Sequence, residues 1–195
     1  PFLRGRDAGA RVAVVAGLVG AVGRAHRRAP LGAAWHPHPA VLPTPRPEGP
    51  CRMPAIFEYE HVVTADEIDA QGHVGNVIFL RWMQDAAMAH SSAQGWPPER
   101  YQQTGAGWVV RSHQIEYLQS AWEGDRIVVR TWVADFQKLT SLRRYRILRP
   151  ADEQPTALAT AETNWVYIGF ERRMPRRIPE ELSGAFDVVE SEGGD

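Results

Sequence analysis

One cysteine, Cys51, stands in a chain of 195 residues. No intrachain disulfide can form and no cysteine metal cluster can be assembled. That fits a reducing compartment, and a cytoplasmic location is expected. Lysine is equally scarce. Lys138 is the only one, and the other basic residues are all Arg, a bias of coding composition rather than of function. The formal net charge of −1 gives no global attraction to nucleic acid or to an acidic membrane. The longest apolar run, Val12 to Val22, is too short and too rich in Gly and Ala to span a bilayer. There is no G-x-S-x-G elbow and no G-x-x-x-x-G-K-[ST] phosphate loop. No His/Cys/Asp spacing resembles a zinc site. No metal or redox cofactor is expected.

The charge is unevenly placed. Residues 1–52 hold eight Arg against two acids, whereas the remainder holds 14 basic and 21 acidic residues. The first segment is rich in Ala, Gly, Pro, Arg and Val, and its first Met is Met53. His36-Pro37-His38-Pro39, followed by Pro43, Pro45, Pro47 and Pro50, is a linker composition. Arg4, Arg6 and Arg11 before an apolar run imitate the start of a targeting peptide. The plainer expectation is a disordered or non-native leader over residues 1–52, with folding beginning at Met53. The remaining residues are enough to bury a substantial core.

Within that remainder, Ile68 to His90 organises the chain. A polar loop carrying Asp69, Gly72, His73, Gly75 and Asn76 runs into a helix expected from about Asn76 to Gln94. Gly75 or Asn76 begins the helix; Gly95 and Pro97-Pro98 end it. Val77, Ile78, Phe79, Leu80, Trp82, Met83, Ala86, Ala87, Met88 and Ala89 cover nearly its whole circumference, so other structure must wrap it. The first N–H groups of a helix have no intrahelical partner and carry partial positive charge. With a carboxylate and an imidazole beside them, they are placed for chemistry on a carbonyl.

The flanking segments read as strands. Ala55 to Val63 partly alternates, with Ile56, Tyr59, His61 and Val63 as markers. Trp108 to Leu118, Arg126 to Asp135, Leu139 to Arg149 and Thr156 to Phe170 follow, separated by short turns such as Glu123-Gly124-Asp125. Ile127, Val129, Thr131 and Val133 share one face of the third strand. Ala157, Ala159 and Ala161 are expected to share a face of the last, where something bulky can approach. Short turns imply antiparallel pairing. The expected class is α+β, a sheet of about five strands around one long helix, with an irregular tail from residue 171 to 195.

Asp69-Ala70-Gln71-Gly72-His73-Val74-Gly75-Asn76, with the apolar helix after it, resembles the D-x-x-G-H-V-x-N pattern of the hotdog-fold thioesterase superfamily. The likeness is specifically to the 4-hydroxybenzoyl-CoA thioesterase-like acyl-CoA thioesterases. Gly75 departs from the Asn common at that place. Glu116-Tyr117 with Gly124-Asp125 resembles the I-x-Y … G-D run of that family's second and third strands. The resemblance spans about Met53 to Phe170. It implies a hotdog domain that hydrolyses an acyl-CoA thioester, working as a homodimer or homotetramer with the active site at the subunit interface. Asp69 would be nucleophile or general base, His73 would orient it or the substrate, and Asn76 would offer its backbone N–H to the thioester oxygen.

Each assignment has a plainer counterpart. Asp69 could simply stabilise a helix N-terminus, His73 could bond loop backbone, and the Asn76 side chain could cap the helix. Gly72 and Gly75 let the backbone turn and approach a substrate. Asp85 is the one carboxylate on the helix and is better read as an i,i+4 partner of Arg81. Arg143 and Arg144, with Arg146, Arg172, Arg173, Arg176 and Arg177, could hold CoA phosphates or form a solvated face. Trp82, Trp108, Trp132 and Trp165 read as core or dimer contacts. Two other functions fit the same residues: a thioesterase acting on acyl carrier protein, and a non-catalytic acyl-CoA-binding protein. Enoyl hydration is a further chemistry open to this superfamily.

Overall fold

In a computed structural model, residues 55–190 are described. The expected leader over residues 1–52 lies outside them. Strand β1 (Phe57–Val62) leads through a 3-10 turn (Ala65–Glu67) and the loop to helix α1 (Asn76–Ala93). Helix α2 (Pro98–Thr104) follows, then β2 (Ala106–Tyr117), β3 (Arg126–Phe136), β4 (Thr140–Arg149) and β5 (Thr156–Gly169). The chain continues into β6 (Met174–Pro175) and α3 (Glu180–Ser183). The strands form one antiparallel sheet in the order β1-β3-β4-β5-β2, with β6 added to β5.

This is the hotdog arrangement, a curled sheet with α1 along its concave face. Phe79, Trp82, Met83, Ala86 and His90, at helical spacing, form the buried stripe of α1. They belong with or beside a core that includes Ile127, Val129, Tyr145, Ile147, Ala159 and Ala161. The small Ala159 and Ala161 lie opposite Ile147 and Tyr145 in register, which gives the larger side chains room. The opposite side of α1 is not wrapped by the described residues. Val77 is 73% exposed and Met88 is also exposed.

Three further expectations are corrected. Ala157 does not share the face of Ala159 and Ala161, because the β4–β5 register shifts between Ile147 and Leu148. Leu158 takes the extra place, and a bulge reverses the alternation beyond it. Pro98 does more than stop α1: it sits at the first position of α2, where its missing N–H costs nothing. The segment after β5 is not an irregular tail up to residue 190. Ile178, Leu182 and Phe186 are buried in a second core cluster with Trp96, Val133 and Tyr167. Among the described residues no helix is long and apolar enough to cross a membrane.

Candidate active site

Asp69 to His73 is a tight loop closed by its own backbone. The Asp69 N–H donates to the His73 carbonyl at 2.8 Å, and the Gly72 N–H donates to the Asp69 carbonyl at 3.0 Å. Gly72 has φ +83°, a left-handed conformation that suits glycine. The Gln71 N–H donates to Asp69 Oδ1 at 2.8 Å, fixing the carboxylate. Oδ2 lies 3.6 Å from His73 Nδ1. That ring nitrogen also faces the Val74 carbonyl at 3.2 Å. A carbonyl only accepts, so Nδ1 carries the proton there.

The carboxylate lies beside the start of α1. A Cβ placed on Gly75 would come within 3.7 Å of Asp69 Cβ and 4.0 Å of Oδ2. Gly75 is the N-cap, and no acidic residue occupies the first turn. Asn76 is therefore the first helical residue rather than a side-chain cap. Other N–H groups of the loop are engaged. The Gly72 N–H is used by Asp69, and the Gly75 N–H by the Glu67 carbonyl at 3.1 Å. The Ile78 N–H bonds to the Gly75 carbonyl. Helix geometry leaves the N–H groups of Asn76 and Val77 without intrahelical acceptors.

Glu67, not singled out in the sequence, anchors this loop from below. It is only 4% exposed. Its Oε2 is 2.7 Å from His61 Nε2 and accepts from the Thr64 N–H at 3.0 Å; its Oε1 accepts from Trp82 Nε1 at 3.0 Å. Burial alone would raise its pKa. The bonds from His61, Thr64 and Trp82 outweigh burial and hold the carboxyl below its ordinary value. The Val74 N–H, bonded to the Ala121 carbonyl at 2.9 Å, ties the loop to the β2–β3 connection. The Tyr117 hydroxyl donates to the Asn76 carbonyl at 3.2 Å. Thus the Glu116-Tyr117 landmark reaches the site through its tyrosine. Gly124-Asp125 closes the neighbouring turn: Gly124 N–H bonds to the Val63 carbonyl, and Asp125 pairs with Arg149 at 2.6 Å.

The two arginines taken together as phosphate ligands separate. As neighbours on one strand they point to opposite faces. Arg144 faces outward and pairs with Glu162 at 2.9 Å. Arg143 faces inward and is 6% exposed, so it cannot meet a phosphate at the surface. Its Nη1 donates to His90 Nδ1 at 2.9 Å and to Thr131 Oγ1 at 3.2 Å. Arg172, Arg173, Arg176 and Arg177 are exposed. Asp85 is half-buried and close enough to Tyr59 to contribute, after burial, to raising that hydroxyl's pKa. It lies roughly 13 Å along α1 from Asn76. Trp165 and Trp108 pack against the two core clusters, and both also line a cavity with Arg143. Among the described residues no group of three or more His, Cys, Asp or Glu is placed to hold a metal ion.

His90 is 1% exposed. Burial first, and Arg143 second, push its pKa down from 6.5 to about 3. It therefore stays neutral in the folded protein across the range in which an unfolded histidine gains a proton. The folded pKa is depressed for a base, so stability falls as pH drops below 6.5 and the loss levels off near 3. Between pH 7 and 5 the expected loss from this residue is about 2 kcal/mol. Urea unfolding at the two pH values measures it. His90→Gln should remove that share of the pH dependence; an unchanged dependence would contradict the assignment.

Residues 62–186, more than half of the chain, match the Thioesterase-like superfamily. The chain belongs to that superfamily. Solved structures share its fold. A 1,4-dihydroxy-2-naphthoyl-CoA thioesterase from Synechocystis, Slr0204, is 23% identical over 67% of this chain and 94% of its own, with a TM-score of 0.61. The hypothetical protein SAV2348 from Staphylococcus aureus, solved in complex with CoA, is 17% identical over 70% of this chain and 85% of its own, at 0.62. The BH1999 gentisyl-coenzyme A thioesterase is 18% identical over 67% of this chain and 99% of its own, at 0.60. The sequence matches no curated protein.

Proposed function

We propose that this protein hydrolyses an acyl-CoA thioester to the free acid and CoA. The observation that carries the reading is Asp69 set beside the N-terminus of α1, where the Asn76 and Val77 N–H groups have no intrahelical acceptors. The thioester oxygen would accept from those two groups, which stabilise the negative charge it gains in the transition state. Asp69 would attack the carbonyl carbon, forming an anhydride that water then opens, or would take a proton from an attacking water. In either route the carbon–sulfur bond breaks and CoA leaves as the thiol. His73, held at 3.6 Å from Oδ2, would orient the carboxylate. Membership of the Thioesterase-like superfamily supports this chemistry.

A homodimer or homotetramer belongs to the same reading. Strand β2 is the last in the sheet order, leaving a hydrogen-bonding edge that proteins usually cover. Val109 and Tyr117 on that strand and Val77 on α1 are exposed apolar side chains. A cytoplasmic location is proposed on the sequence alone. Release of free thiol from aliphatic and aromatic acyl-CoA esters, beside the same acyl groups on carrier protein, tests the function. Turnover of CoA esters supports it. A preference for carrier protein that salt abolishes would move the assignment to that substrate. Tight binding without turnover would favour a binding protein.

A further inference from the structure

A cavity of about 560 Å³ lies between the C-terminal half of α1, α2 and the sheet. Its lining is largely apolar and aromatic, with Met88, Trp108, Val110, Phe136, Trp165 and Phe186 among it. Arg143 is the only charged residue on that lining. It is buried, yet among the described residues no carboxylate pairs with it. Its partners are neutral: His90, Thr131 and, at 5.8 Å, the face of the Phe186 ring. An enclosed guanidinium without a counter-charge is costly, and a planar fork of donors matches a carboxylate. Pockets of this size, apolar with one or two fixed polar groups, are the usual form of a small-molecule site.

We infer that this cavity takes a ligand with an apolar body and one carboxylate, the carboxylate pairing with Arg143. His90, which contacts Arg143, lies roughly 21 Å along α1 from Asn76. In a thioester substrate that spans this distance, the carboxylate is the far end of the acyl group and not the end that reacts at Asp69. Resting on the proposed thioester hydrolysis, this identifies the substrate class as a thioester whose acyl group ends in a carboxylate. The same chemistry is also met by a free apolar acid, held after release.

Calorimetric titration of the full chain with decanoate and with decanol tests the site. Decanoate should bind about tenfold or more tightly than decanol. Arg143→Gln should erase the difference, and Arg143→Lys should keep part of it. Equal affinities in the unsubstituted protein, or a difference that survives Arg143→Gln, would overturn the inference. If Arg143→Gln does not fold, Val110→Trp decides, because it fills the cavity without removing the charge: it should abolish decanoate binding, and unchanged binding would place the acid elsewhere. Hydrolysis of hexadecanedioyl-CoA against palmitoyl-CoA then separates the sources. A preference for the diacid ester that depends on Arg143 assigns the carboxylate to the acyl terminus. Decanoate binding with no such preference assigns it to the free acid. Decanoate binding with no thioester hydrolysed at all would reject the proposed activity and leave the cavity assignment standing.

Discussion

Asn76→Pro is expected to lower thioester hydrolysis by about 100- to 1,000-fold while leaving the fold intact. Asn76 is the first residue of α1, and the first helical position tolerates proline because its N–H has no intrahelical acceptor. The preceding residue is already suited: Gly75 has φ −66° and ψ 143°, the extended conformation that a following proline demands. The Tyr117 bond to the Asn76 carbonyl can survive, since proline keeps its carbonyl. The substitution therefore removes one proposed oxyanion donor and little else. Asn76→Ala removes the exposed side chain and keeps the N–H, so it should retain nearly full activity. Steady-state rates for the two variants, with circular dichroism to check folding, make the comparison. Equal losses in both would shift the role from the backbone to the side chain.

Glu67→Ala should destabilise the protein by about 3–5 kcal/mol, because each buried donor left without its acceptor costs about 1–3 kcal/mol. Three groups lose their acceptor at once: His61, the Thr64 N–H and Trp82 Nε1. For a chain of this length that corresponds to a fall of roughly 10 °C in Tm. The carboxyl is held below its ordinary pKa, so its contribution is present at neutral pH and is lost as pH falls through the folded value. Activity should fall as well, because losing those three bonds loosens the segment whose Glu67 carbonyl receives the Gly75 N–H at the start of α1. Thermal unfolding and activity at a temperature where the variant remains folded separate the two effects. A Tm within 2–3 °C of the parent protein would show that the three donors find water instead.

The helix and the strands were legible because each carries a period. The buried stripe of α1 falls at helical spacing, and Ile127, Val129 and Thr131 alternate along β3. The loop was legible through the resemblance, which pointed to Asp69, His73 and Asn76 and to the helix start. What was not legible has no period. Glu67 is one acid in a polar loop, and its burial depends on His61 and Trp82 arriving from β1 and α1. The bulge at Leu158 leaves no mark in the sequence, so Ala157 was placed with Ala159 and Ala161. Arg143 and Arg144 read as one basic pair because the count of charges conceals strand alternation; that alternation was the available signal. The C-terminal segment also had one: Ile178, Leu182 and Phe186 recur every four residues, a spacing masked by the four arginines before it and by Pro179 within it.

Asp69 is proposed to do the chemistry at the helix start. The most direct test is free-thiol release from acyl-CoA esters by the full chain and by Asp69→Asn, with both shown to be folded. Asparagine keeps the shape and can still accept from the Gln71 N–H, but it neither attacks a thioester well nor takes a proton from water. Turnover by the parent protein and a loss of at least about 100-fold in the variant are expected. Equal rates in the two folded proteins would contradict that role of Asp69.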